Sequence, residues 1–244
     1  MILAIHQPNY FPWLGYLDKM AKVDEYIVLD EVQLTDRSGM MRNQFLENNL
    51  SSHILSLSLK KKGYREKKTN EIELSDFKEV QRKHKIFFQM NYGKSKGFSE
   101  VWPYISDIFE KDYTHLIDID MDTMIAMRKL YNINSKLILQ SQLDYDKTAK
   151  KNDLMLTLCK AVSASVYLSG QGAKAYMRDD TFETEGIKVI YQTFQHPVYE
   201  QPSAPEFVTG LSSIDMMMQL GITNARNVFW SNVEKGKSTD IYTL

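Results

Sequence analysis

The chain has 244 residues, 43% of them hydrophobic and 25% charged, with a formal net charge of -1. That near-neutral balance excludes a dedicated nucleic-acid binder, whose phosphate contacts call for a clear basic excess. The lone cysteine, Cys159, excludes an internal disulfide framework and a cysteine metal cluster.

A chain of this length buries roughly 70–75% of its unfolded surface, so a full core forms without staples. No uninterrupted apolar run approaches the ~20 residues that span a bilayer. The opening MILAIHQPNY has neither a basic start nor a long apolar stretch, unlike a secretory signal. A cytoplasmic protein is expected. No Gly/Ser-rich or Pro-rich linker and no internal repeat interrupts the chain, so a single domain over residues 1–244 is expected.

Ile2 to Ile5 is a short apolar run suited to a buried strand. HQPNYFP, with two prolines and an asparagine, must be a loop. From Trp13, apolar residues recur at helical spacing (Leu14, Leu17, Met20), with Pro12 expected in the first turn and Trp13 and Tyr16 in the core. Tyr26 to Leu29 is a second apolar run, ending in Asp30 and Glu31. This opening is a βαβ unit with parallel strands.

His53 to Leu59 alternates as a half-buried strand does, and KKKGYREKK (Lys60 to Lys68) reads as an exposed basic loop. Helices are expected around Phe77–Phe88, Trp102–Phe109, Met121–Leu130, Leu154–Val162 and Ser213–Leu220, the last closed by Gly221. Strands are expected at Leu137–Leu139, Val166–Leu168 and Ile187–Phe194. This alternation predicts an α/β fold: a parallel sheet with helices on both faces, Rossmann-like and three-layered.

Ligands of such sheets bind beyond the carboxyl ends of the strands. The loop after the first strand carries His6, Gln7, Asn9 and Tyr10. His6 is the candidate acid or base, because its ordinary pKa of ~6.5 lies near neutrality; the alternative is a histidine capping the strand. Gln7 and Asn9 offer donors and acceptors to a sugar or base, although Asn9 also suits a turn. Asp30 and Glu31 point to opposite faces, and Asp30 is the expected site carboxylate, followed by Gln33. Arg37, Arg42 and Asn43 are candidates for phosphate recognition. Ser169 and Gly170, in SGQG between a strand and a helix, suggest an anion site at a helix start. His196, Tyr199 and Gln201, in HPVYEQP, belong to either a lid or a rigid turn. The five histidines show no metal-ligand spacing, so no metal site is expected. Cys159 reads as inert core.

IHQPNYFPWLGYLDKMAKVDEYIVLDEVQ resembles the WbqC-like family, known from bacterial O-antigen and other surface-polysaccharide gene clusters. The resemblance extends through RNQF, KHKIFFQMNYGKSKGF, YLSGQGAKAYM, FQHPVYEQ and LSSIDMMMQLG, almost the whole chain in order. The chain departs from the family at HILSLSL, where a tryptophan and a proline are expected, and at Gln219, where asparagine is usual. The resemblance implies a protein of surface-polysaccharide biosynthesis working on a nucleotide-linked sugar: a transferase attaching an acyl or aminoacyl group to an amino sugar, with an acyl thioester on coenzyme A or an acyl-carrier protein as donor. Two alternatives stand beside it, an ATP-dependent adenylate-forming or nucleotidyl-transferring enzyme and a non-catalytic sugar-nucleotide binding protein. The opening is also similar in plan to the HIGH nucleotidylyltransferases, but FPW stands where their signature histidines would be.

Overall fold

The computed structural model describes residues 1–34, 39–48, 52–202 and 204–240, with side chains up to residue 237. Five short strands form the central sheet: β1 (Ile2–His6), β2 (Glu25–Val28), β5 (Lys136–Leu139), β6 (Val166–Ser169) and β7 (Lys188–Tyr191). All are parallel, in the order β5-β2-β1-β6-β7. The chain builds outward from β1 through β2 to β5, then returns to the other flank of β1 with β6 and β7. The direction therefore reverses between β1 and β6, and ligands of such sheets bind outside the strands at that point.

The strands are buried on both faces, which explains their near-continuous apolar runs. Ala4, Tyr26, Val28 and Leu168 face one core, shared with α1 (Leu14–Ala21), α2 (Phe77–Tyr92), α3 (Phe98–Ile105), α4 (Leu116–Tyr131), α7 (Ile214–Leu220) and α8 (Ile222–Asp240). Leu3, Ile5, Ile27 and Tyr167 face a second core, with α5 (Asn152–Ala161) and α6 (Asp179–Thr184). Helices thus cover both faces, as the alternating pattern requires. Among the described residues no helix is long and apolar enough to cross a membrane.

Several elements differ from the sequence expectations. Arg42–Phe45, expected in a loop, is β3, and it pairs antiparallel with β4 (His53–Ser56), apart from the main sheet. Its sequence RNQF carries only one apolar residue, so periodicity gave no signal. Pro12 precedes the N-cap residue Trp13 instead of lying in the first turn of α1. Tyr16 is buried as expected, but Trp13 is 38% exposed, its ring edge-on to Phe194 at 5.3 Å. Gly221 ends α7, yet the chain starts α8 at once, the Ile222 amide donating to Glu100 Oε2 at 3.0 Å. α6 carries a single apolar residue, Phe182, and gives no periodic signal, whereas α8 was not expected although Ile222, Ala225, Phe229 and Val233 recur at helical spacing. SGQG leads into a three-residue 3-10 turn, Gln171–Ala173, instead of an α-helix, so the helix-start anion site expected there is not built.

Candidate site at the strand reversal

The two strands flanking the reversal part before their ends. β1 and β6 pair only as far as Ala4 and Leu168, whereas β1 runs beside β2 to His6 and β6 beside β7 to Ser169. The strands therefore separate at His6 and Gly170, the place where a ligand crevice is expected in such a sheet, and Lys19 of α1 lies beside it.

His6 shares the face of Ala4, so its ring stands against α1, edge-on to Tyr16 at 5.1 Å. The ring is exposed to solvent although protein surrounds it, as at the floor of an open crevice. Nδ1 lies 3.0 Å from the Gln7 carbonyl, which can only accept; Nδ1 therefore carries the proton and Nε2 offers a lone pair. Desolvation and then the neighbouring Lys19 ammonium lower the His6 pKa to about 3. The near-neutral pKa expected for His6 is thus corrected: its imidazole is neutral throughout the physiological range.

Lys19, which the sequence reading passed over, lies beside His6. It is 4% exposed and makes no side-chain hydrogen bond or ion pair among the described residues. Desolvation alone lowers its pKa to about 7. No local signal marks it: Tyr16 and Val23 lie one turn from Lys19, but so does the charged Lys22. Asp18 beside it is committed elsewhere, to Lys22 at 2.9 Å and Gln192 Nε2 at 2.6 Å.

The loop that ends at α1 is locked from the core. Phe11 is fully buried at φ 41°, a strained conformation that its surroundings must enforce. Its amide donates to Thr123 Oγ1, and its carbonyl accepts from Asn43 Nδ2 at 2.7 Å and Ser212 Oγ at 2.8 Å. Asn43 also donates to the Tyr10 carbonyl and to Asn9 Oδ1. Asn9 is 8% exposed, and a Cβ at Gly39 would stand 2.1 Å from its Nδ2, so a larger residue there would displace the Asn9 side chain. Tyr10 is fully buried, its hydroxyl 2.8 Å from His84 Nδ1. Tyr10 and Asn43, expected as ligand contacts, thus direct these polar groups to partners inside the fold.

The remaining candidates divide by location. Asp30 is 2% exposed, and its carboxylate accepts from the Ser141 amide and hydroxyl and from Asn70 Nδ2, tying β2 to the segment after β5. It makes no contact with His6 among the described residues. Glu31 is gripped by Lys68, Lys147 and Tyr145, and the two ammonium groups hold its carboxyl at about 2. Gln7 Nε2 reaches the Gln33 carbonyl at 3.4 Å, linking the loops after β1 and β2. Arg42 lies half-buried on β3, and Arg37 lies outside the described residues. Ser169 follows Tyr167 on the α5–α6 face by strand alternation, which turns its hydroxyl away from His6; Gly170 faces α1.

HPVYEQP is a rigid turn. Tyr199 and Gln201 are buried and donate to Asp215 at 2.7 and 3.1 Å, where Tyr92 and Gln219 also donate. His196 Nδ1 donates to the Pro197 carbonyl at 2.9 Å, and its ring stacks near Tyr199. This hub lies away from His6. Cys159 is buried in the second core, its thiol pushed up to about 12 by burial, as an inert cysteine should be.

The model of the WbqC-like protein family matches residues 7–227. The chain belongs to the WbqC-like family. It is also similar to the uncharacterized protein Rv1507c of Mycobacterium tuberculosis, with 27% identity over 221 residues, covering 90% of this chain and 94% of that protein. No solved structure matches. The matched residues include Lys19, Gly170 and Asp215 and begin one residue after His6.

Proposed function

We propose that this WbqC-like protein transfers an acyl or aminoacyl group from a thioester to the amine of a nucleotide-linked amino sugar, in bacterial surface-polysaccharide biosynthesis. One observation carries the reading: at the strand reversal, a solvent-reachable His6 keeps its Nε2 lone pair free and unprotonated. The amine must lose a proton on the way to the amide, and the free Nε2 lone pair is available to take it, although its low pKa makes it a weak base. The C–N bond forms as the amine nitrogen attacks the carbonyl carbon. His6 Nε2 accepts the amine proton and returns it to the departing sulfur as the C–S bond breaks, so the reaction releases a thiol. Orientation of amine and carbonyl in the crevice supplies much of the remaining catalysis, ~7–11 kcal/mol for well-placed reactants. The donor is an acyl-carrier protein or coenzyme A, and the locale is cytoplasmic, where both occur. Asp30 holds the loops after β2 and β5 in register and acts only through them.

Incubation of the protein with thioester donors and nucleotide amino sugars, followed by mass spectrometry, tests the reading. His6→Asn should lower turnover by ~10²–10⁴ without unfolding the protein. Near-wild-type turnover in that variant would remove His6 from the reaction. Because His6 protonates only near pH 3, its titration should produce no rise in rate between pH 5 and 7. A limb with midpoint near 6.5 that vanishes in His6→Asn would contradict the neutral-imidazole role.

The basic loop offers a docking surface for an acidic carrier protein. Lys60 and Lys67 are engaged by Glu73, and Lys68 by Glu31, but Lys61 and Lys62 are exposed. Changing both to Gln should slow transfer from a carrier-bound donor roughly tenfold at low salt, with the gap closing at high salt. Equal kcat/KM at both salt levels would leave the loop a solvated surface.

A further inference from the structure

Buried charges in proteins are normally paired, because an isolated ammonium loses far more hydration than packing returns. Lys19 breaks that rule. The residue is 4% exposed, its Nζ touches solvent, and no carboxylate, carbonyl or hydroxyl among the described residues pairs with it. Yet it borders the crevice that the parting of β1 and β6 opens. Gly170 flanks it: a Cβ there would lie 4.0 Å from Lys19 Nζ and fill the space next to the amine. We propose that Lys19 is completed by a phosphoryl oxyanion of the ligand, seated between His6 and Gly170, and that binding recruits one proton to Lys19. This rests on the reading of the crevice as the nucleotide-sugar site and names what holds the ligand's diphosphate there.

The surrounding groups leave this counter-charge to the ligand. On α1 itself, Asp18 is held by Lys22 and Gln192, and Tyr16 donates to the Gln7 carbonyl. From β1 comes His6, neutral and acceptor-bearing at Nε2. β6 brings Ser169 and Gly170, which carry no charge, and Gln192 after β7 is neutral. In the turn beyond, the Lys174 ammonium lies over the Tyr191 ring. α8 packs on α1 at Lys22, whose ammonium stands against Gly236, while Glu234 and Lys237 pair with each other. The lowered pKa of about 7 means that near pH 8 most Lys19 is deprotonated before the oxyanion arrives.

The test is titration calorimetry of the intact protein near pH 8 with UDP, repeated with coenzyme A, each in two buffers of different ionisation enthalpy. Wild type should take up close to one proton per molecule bound. Lys19→Met should weaken binding about 10- to 100-fold, the loss of a charge-assisted contact, and abolish the uptake. Lys19→Arg, charged at every accessible pH, should retain binding without uptake. Lys19-dependent uptake with UDP assigns the oxyanion to the sugar nucleotide; the same with coenzyme A alone assigns it to the donor. Unchanged affinity in Lys19→Met, or undiminished uptake in that variant, would overturn the proposal. Neither probe carries an amino sugar or an acyl group. Loss of group transfer with intact probe binding therefore counts against the proposed reaction, and loss of probe binding counts against the Lys19 site.

Discussion

Lys19→Met is expected to make the protein more stable, and more so at lower pH. The folded environment lowers the Lys19 pKa from 10.5 to about 7 by desolvation, so the unfolded chain binds the proton more tightly than the folded one. The resulting penalty is complete below about pH 7, shrinks as pH rises towards 10.5, and is absent above it. A lowering of this size corresponds to at most about 5 kcal/mol, a large fraction of the stability of a typical domain. Methionine fills the same volume without the charge, so the cost disappears while the packing stays. Urea unfolding of both proteins at pH 6 and at pH 9.5 checks this through the difference between them. The gap in stability should be widest at pH 6. A gap that is pH-independent, or a variant less stable than wild type, would mean the buried amine is not a cost.

Asp215→Ala should have the opposite sign and comparable size. Asp215 is fully buried at the start of α7 and accepts from the hydroxyls of Tyr92 and Tyr199 and the amides of Gln201 and Gln219. Burial raises its pKa, and the four donors oppose that rise. Alanine would leave all four donors facing apolar surroundings. A loss of about 3–5 kcal/mol is expected, with the HPVYEQP turn freed. Asp215→Asn keeps the shape and one acceptor and should cost less. Thermal unfolding ranks the three proteins, and amide exchange of residues 196–208 reports the turn. An alanine variant within about 0.5 kcal/mol of wild type, the range of ordinary surface changes, would show that the hub is not what holds this turn.

His6 and Lys19 behave differently from each other under sequence reading, for a physical reason. His6 ends an apolar run and precedes two prolines, so its position at a strand's carboxyl end follows from local pattern. Its protonation state does not, because desolvation and a neighbouring charge are tertiary quantities. Lys19 sits in a helix where lysine is ordinarily solvated, and nothing local says that β1, β6 and α1 close around it. Asp30 shows the limit in another way. Alternation along a strand marks one of two adjacent acids as inward, but inward here means Ser141 and Asn70, from segments 111 and 40 residues away.

What the sequence by itself determined is what depends on short-range periodicity: the βαβ opening, the alternation of strands and helices, and the inert Cys159. The WbqC-like resemblance was legible in the same way, from contiguous blocks. Only the tertiary structure decided the strand order, because pairing partners are set by packing over the whole chain. It also decided that Tyr10, Asn43, Tyr199 and Gln201 spend their polar groups inside the fold. RNQF joined a hairpin against its weak strand pattern because Phe45 finds Phe11 and Phe88 to pack on, at 6.1 and 5.2 Å. The unpaired amine of Lys19 exists only in three dimensions: burial is a property of the neighbours that the chain brings, and a sequence does not state which neighbours those are.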